Sequence, residues 1–273
     1  SAWNVGELDE MYRDAEFKLT LGEKKLEESA KNYEDFWIKS VGPTLYNKFI
    51  KTYTQKMWMT DDNSVIDDFT WSPKGVAIKK GPREGWDSAI SAYPYSINGY
   101  NDFFDLAKNS VKILLNTSVE RINPETNEAL INNQWEDFDI IINTTPIDHL
   151  LEYSFGKLKY IGRDITFLIL PVEFALPKDV YFTYYTGNEK YTRVVEYKKF
   201  TQYKSPHTLI SLEYPSDRGR LYPMPTKPER EKAKKYFEVT GDKFFSIGRI
   251  GAFNYRYDID DAIEQAIQVT KDL

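Results

Sequence analysis

The spacing of hydrophobic residues changes character along this chain, and each change predicts a different kind of element. Across 5–57 apolar residues are scattered among charges with almost no β-branched runs, which predicts two or three amphipathic helices. In the last of these, Leu45, Tyr46, Phe49, Ile50, Tyr53 and Met57 recur at helical spacing after a break at Gly42-Pro43. Polar Asp61-Asp62-Asn63 follows, and several Gly and Pro over 71–85 predict a long loop. Short apolar runs at 111–115, 128–131 and 138–142, punctuated by Asn123-Pro124 and Asn132-Asn133, predict strands. The last run passes into Asn143-Thr144-Thr145-Pro146, the kind of small polar turn at which an α/β sheet presents backbone to a ligand. Runs at 166–170, 180–185, 192–197 and 208–214 predict an antiparallel sheet. A helix over 229–237, a buried strand over 242–247, a glycine turn and a helix over 260–269 complete the pattern.

Composition narrows the function classes. The chain has 273 residues, 41% of them hydrophobic, enough for one large or two smaller cores. A net charge of −6 argues against a nucleic-acid partner and leaves room only for local basic pockets. Cysteine is absent and only His149 and His207 are available, which excludes disulfides, thiolate catalysis and cysteine- or histidine-rich metal sites. No segment has the apolar length to span a bilayer, so the expectation is a soluble, cytoplasmic protein. The 20 Tyr, 16 Phe and 6 Trp supply rings with polar edges, suited to gripping sugars or bases as well as to core packing.

Candidate chemistry sits at four places. Strand, glycine turn and helix around Gly248-Arg249-Ile250-Gly251 form an anion-binding layout, in which glycines let backbone approach a phosphate or a flavin edge and Arg249 adds charge. The companion G-x-G-x-x-G of a dinucleotide site is absent. Along 191–197, period-two alternation puts Tyr191, Arg193, Val195 and Tyr197 on one strand face; Arg193 there suits either a bidentate grip on a diphosphate or a cross-strand ion pair. Tyr53 to Trp58 offers two rings near a cation at a helix end, fit to stack a base or simply to pack. Lys74, Lys79, Lys80 and Arg83 form a basic cluster in the glycine-proline stretch, either a phosphate clamp or a solvated loop.

Taken in order, the segments 139–148 (DIIINTTPID), 190–200 (KYTRVVEYKKF), Glu213-Tyr214-Pro215, Tyr222-Pro223 and Gly248-Arg249-x-Gly251 with Tyr255 resemble the bacterial UDP-galactopyranose mutases. Residues 53–58 (YTQKMW) are similar to that family's Y-T-E-K-Q-W. The resemblance implies an α+β fold: a helical inserted domain over 1–60, an antiparallel β-sheet substrate domain over 61–108 and 147–235, and a partial Rossmann-like FAD-domain remnant over 109–146 and 236–273. It implies an FAD enzyme that interconverts pyranose and furanose forms of a nucleotide sugar by flavin N5 nucleophilic catalysis, for cell-surface polysaccharide synthesis, and a homodimer as the assembly to test. By matching motifs, Arg193, Tyr222 and Tyr255 would be catalytic and Tyr53, Trp58, Tyr191 and Lys74 would bind substrate. Gly248, Arg249, Gly251 and Asp258 would bind cofactor, and no metal is expected. The sequence departs from the family in lacking its first flavin segment, in offering lysine where a second diphosphate arginine is expected, and in one extra residue after Arg249, which leaves Asp258 or Asp260 as flavin partner. The expectation is therefore a fragment of a longer flavoprotein that binds FAD weakly or not at all. A flavin amine-oxidase-like oxidoreductase and a flavin-free nucleotide-sugar binding module remain as alternatives.

Overall fold

In the computed structural model, which describes residues 29–69, 93–178, 180–201 and 203–271, the helical period of the early chain is realised as α1 (Tyr33–Leu45) and α2 (Lys51–Trp58). Asn32 caps α1, its side-chain oxygen accepting from the Asp35 N–H at 2.9 Å, one of the donors a helix start leaves unpaired. Gly42, at φ +81, and Pro43 break α1 where the sequence predicted a new start, and a single π turn, Tyr46–Ile50, leads into α2. Of the six periodic residues, Leu45, Tyr46, Ile50 and Met57 are buried and Phe49 and Tyr53 half-buried. Met59 ends α2 in the left-handed conformation. The earliest predicted helix, the 71–85 loop and its basic cluster lie outside the described residues.

The chain divides into two units. Of the described residues, the first holds those within 29–64, 93–113 and 163–216, and the second those within 65–69, 114–162 and 217–271. A short helix, α3 (Asn101–Asp105), belongs to the first. The predicted strand at 111–115 is not one: Val111, Ile113 and Leu115 are exposed and pair with no strand among the described residues.

The second unit opens with an antiparallel meander of β1 (Val119–Asn123), β2 (Glu128–Ile131) and β3 (Gln134–Asp137). Asn132 and Asn133 join β2 to β3 at φ +51 and +63, the left-handed pair a two-residue hairpin turn demands and asparagine tolerates. The following strand, β4 (Ile141–Asn143), runs into a short helix α4 (Ile147–Leu150) and then β5 (Tyr160–Leu170). Within the first unit β5 lies beside an antiparallel set, β6 (Phe182–Tyr184), β7 (Arg193–Glu196) and β8 (Thr208–Ser216), in the order β6-β7-β8-β5. The one-turn α5 (Lys198–Thr201) follows β7. In the second unit the start of β5 pairs with β9 (Tyr222–Pro223). Then α6 (Lys227–Glu238), with Pro228 in its first turn, leads to β10 (Phe244–Ser246), which pairs parallel with β4. A single helical turn, α7 (Gly248–Gly251), precedes the closing helix α8 (Ile259–Lys271).

The core of the second unit joins Ile122 and Ile131 of the meander, Ile147 and Leu150 of α4, Tyr236 of α6, Phe244 and Phe253. A fully buried carboxylate, Asp148, ties it together by accepting from Arg220 at 2.6 Å and from the Leu158 N–H at 2.9 Å. No helix among the described residues is long and apolar enough to cross a membrane.

Candidate functional site

Within the first unit, β7 places Arg193 directly opposite Glu213 of β8. The Nε and Nη2 groups of Arg193 both reach Glu213 Oε2, at 3.0 and 2.8 Å. The same guanidinium lies 5.7 and 5.9 Å from the ring centres of Phe182 and Tyr184 on β6. Burial alone would pull the Arg193 pKa down; the Glu213 hydrogen bond and charge outweigh it and raise it, so the guanidinium is permanently charged. Two of its five N–H groups point to Glu213, and its side chain is 32% exposed. Of the two readings of Arg193 left open by the spacing, the cross-strand ion pair with Glu213 is present, and the guanidinium also hydrogen-bonds Tyr184.

Tyr53 on α2 packs edge-on against Tyr184, with ring centres 5.5 Å apart, so Tyr53, Tyr184 and Arg193 form a continuous aromatic and cationic surface. Tyr191 stacks edge-on with Tyr185 at 4.6 Å and lies 6.0 Å from Tyr214. A residue whose role the sequence did not reveal holds this arrangement. Lys56 Nζ donates to the carbonyls of Tyr185, Glu189 and Tyr191 at 2.8, 2.9 and 3.2 Å, pinning the β6–β7 loop to α2. Burial pushes the Lys56 ammonium pKa down, with Glu189 opposing. Phe182 and Tyr184 were also missed, although their period-two spacing across from β7 is a signal for them. Trp58, expected to line a pocket, is 1% exposed and packs in the core, because the buried face of α2 runs through it. Lys74 lies outside the described residues.

In the second unit Arg249 sits between two rings, 5.7 Å from the centre of Tyr222 and 5.2 Å from that of Tyr255, which are themselves 5.8 Å apart. Its Nε donates to the Tyr257 carbonyl at 2.8 Å and its Nη2 to Asp258 at 2.5 Å. Asp258 is therefore the Arg249 partner in this structure. The glycine turn differs from the anion-binding layout expected of it. It forms its own single helical turn, and the N–H of Gly248 donates to Gln265 Oε1 of α8 at 2.7 Å. Gly248 has φ +71, and a Cβ built there would meet nothing within 4 Å, so space is open above it. At Gly251 a Cβ would come 2.5 Å from the Asn143 carbonyl oxygen; its missing side chain lets the turn pack on the end of β4. Gly251→Ala is therefore expected to cost about 1–3 kcal/mol by overpacking, read as a lowered urea midpoint, while at Gly248 a side chain would be strained by the backbone angle and not crowded. The Asn143-Thr144-Thr145-Pro146 turn is internally closed: Asn143 Oδ1 accepts from the N–H and hydroxyl of Thr145 at 2.9 and 2.7 Å.

The structure thus brings Tyr53, Tyr191 and Arg193 into one unit and Tyr222, Tyr255, Gly248, Arg249 and Asp258 into the other. A family model for UDP-galactopyranose mutase matches residues 48–257. The chain is 24% identical over 257 residues to a dTDP-fucopyranose mutase of Escherichia coli, a match covering 87% of this chain and 62% of that protein. It is 22% identical over 246 residues to a probable UDP-galactopyranose mutase of Klebsiella pneumoniae, covering 86% and 59%. The chain therefore spans about three fifths of the length of these curated relatives. Its fold is similar to a crystal structure of reduced UDP-galactopyranose mutase, with a TM-score of 0.70 at 15% identity over 89% of this chain and 69% of that one.

Proposed function

The chain belongs to the UDP-galactopyranose mutase family, and from that membership we propose that the protein carrying it interconverts the pyranose and furanose forms of a nucleoside diphosphate sugar, with FAD as cofactor. The observation that carries the reading is the match across 48–257 coinciding with the cluster of Tyr53, Tyr184 and Arg193. Arg193 holds the diphosphate through the part of its fork not committed to Glu213, which fixes its plane. Tyr53 and Tyr191 present ring faces and edges to the nucleotide, and Lys56 keeps the loop carrying Tyr191 in place. Within the second unit, Tyr222 and Tyr255 flank Arg249 with their rings. Such a site works by orientation and by stabilising the departing diphosphate.

The second unit fits one end of the cofactor. Gly248 leaves open space beside Arg249, whose guanidinium is set between two rings, which suits the polar edge of a flavin. The sequence contains no G-x-G-x-x-G, so its residues offer no fingerprint for the dinucleotide phosphates. The parallel β4–β10 pair, with the turn at its carboxyl end, is the part of a Rossmann-like domain that the chain contributes. Reduced FAD, when bound, supplies N5 as the nucleophile toward the anomeric carbon. The relatives' names point to uridine or thymidine diphosphate sugars, and polysaccharide synthesis is the use proposed for the furanose product.

The test is to incubate the protein with dithionite-reduced FAD and either UDP-galactopyranose or dTDP-fucopyranose and to follow the anomeric protons by NMR. Furanose should appear without stoichiometric loss of reductant. Flavin reduction by an amine would establish the oxidase alternative instead, and nucleotide-sugar binding with no ring change in the presence of bound reduced flavin would establish a binding module.

A further inference from the structure

A cavity of about 930 Å³ opens in the first unit beyond the end of β7 opposite to Arg193, lined by Phe174, Tyr181, Lys198, Lys199, Tyr203 and Lys204, with Glu173, Lys178, Ser205 and Pro206 at its margin. Among the described residues its lining carries four lysines and one carboxylate, Glu173, in a chain whose net charge is −6. The lysines divide into two kinds. Lys198 and Lys199 are each 7% exposed and immobilised. Lys198 Nζ donates to the carbonyls of Ser205 and His207 at 2.8 and 3.1 Å and lies 4.6 Å from the Phe174 ring centre. Lys199 Nζ donates to the carbonyls of Leu176, Pro177 and Val180 and pairs with Glu196 at 3.1 Å. Lys178 and Lys204 are exposed and make no ion pair among the described residues.

Lys199 is balanced by Glu196, so the positive potential facing the cavity comes from the buried Lys198 and from the exposed Lys178 and Lys204, whose long side chains can follow an incoming anion. The rings point to the rest of the ligand. Phe174 and Tyr203 are 52% and 55% exposed, while Tyr181 is braced from behind by Tyr93 and Phe200 at 6.1 and 5.2 Å. Exposed rings beside cations, in a cavity of ligand size, suit a flat ring joined to an anionic group. We propose that this cavity is a second binding site, distinct from the Arg193 cluster, that takes a nucleoside phosphate. The proposal does not depend on the mutase reading.

Photolabelling the 273-residue chain with 8-azido-ADP and mapping the labelled peptides tests it. Label is expected on peptides spanning 173–181 or 203–206, saturably and in competition with ADP. Lys178→Glu with Lys204→Glu should weaken it about 10-fold or more, and the corresponding Gln pair by less, equivalent to about 1.4 kcal/mol for the charge reversal. Arg193→Ala should leave this labelling unchanged, and circular dichroism confirms that each variant is folded. Label confined to peptides containing Tyr53 or Arg193, or label unchanged by the double charge reversal, overturns the proposal. Inorganic pyrophosphate competing as strongly as ADP overturns the part assigned to the rings.

Discussion

Glu196→Ala is expected to lower the unfolding free energy of the chain by about 3–5 kcal/mol, the largest stability effect of any single substitution considered, because it breaks a buried charged network from its centre. Glu196 is fully buried at the end of β7. Its two oxygens accept from the N–H groups of Ala175 and Leu176 at 2.9 and 3.0 Å and from the Thr208 hydroxyl at 2.6 Å, and pair with Lys199 at 3.1 Å. Burial by itself pushes the carboxyl pKa up; the hydrogen bonds from Thr208, Ala175, Leu176 and Lys199 outweigh it and hold the pKa below its ordinary value. A carboxyl depressed in the folded state contributes stability that is complete above its ordinary, unfolded value and is lost as pH falls through the lower folded value. Urea unfolding followed by tryptophan fluorescence should show the wild-type chain losing stability on acidification through that window. Glu196→Ala should be weaker at neutral pH and flatter across the window. An unchanged acid profile in the variant would remove Glu196 from the account.

Arg193→Lys is expected to weaken binding of a uridine or thymidine diphosphate to the proposed site by roughly 10- to 150-fold, the free energy of a charge-assisted hydrogen bond. Lysine keeps the charge opposite Glu213 and so keeps the strand pairing of β7 with β8, but it lacks the planar fork that serves Glu213 with one edge and a diphosphate with the other. Calorimetry on both chains, with the urea midpoint as a control for folding, separates the two roles. A loss of affinity matched by a loss of stability would mean that Arg193 acts only through its pair with Glu213. A loss of affinity at unchanged midpoint is the predicted result.

Much of the architecture was legible from periodicity. The antiparallel runs between 165 and 214 emerge as β5 to β8, and the last two helices lie within a few residues of their predicted bounds. Where periodicity failed, a tertiary requirement had intervened. The run at 111–115 has strand-like residues and pairs with no strand among the described residues. The segment read as a plain glycine turn ahead of the last helix is itself a single helical turn, Gly248–Gly251, packed against the end of β4. The site was legible in part. Arg193, Tyr222, Arg249 and Tyr255 stand out because arginines and tyrosines flank strands and turns in a recognisable order. Lys56 does not stand out, since its three carbonyl partners lie more than a hundred residues away.

The chain's own sequence determined which segments are helical or extended, that thiol chemistry and cysteine- or histidine-rich metal sites are excluded, and which ordered motifs tie it to a mutase family. These follow from residue type and local spacing, which act within a few residues. Tertiary structure alone decided that Arg193 shares its fork with Glu213, that Lys56 anchors the loop bearing Tyr191, that Gly251 is small for the sake of Asn143 and that Glu196 is buried among its donors. Each of these joins groups far apart in the chain, and a hydrogen bond or a steric contact between such groups depends on the packed geometry that brings them within about 3 Å.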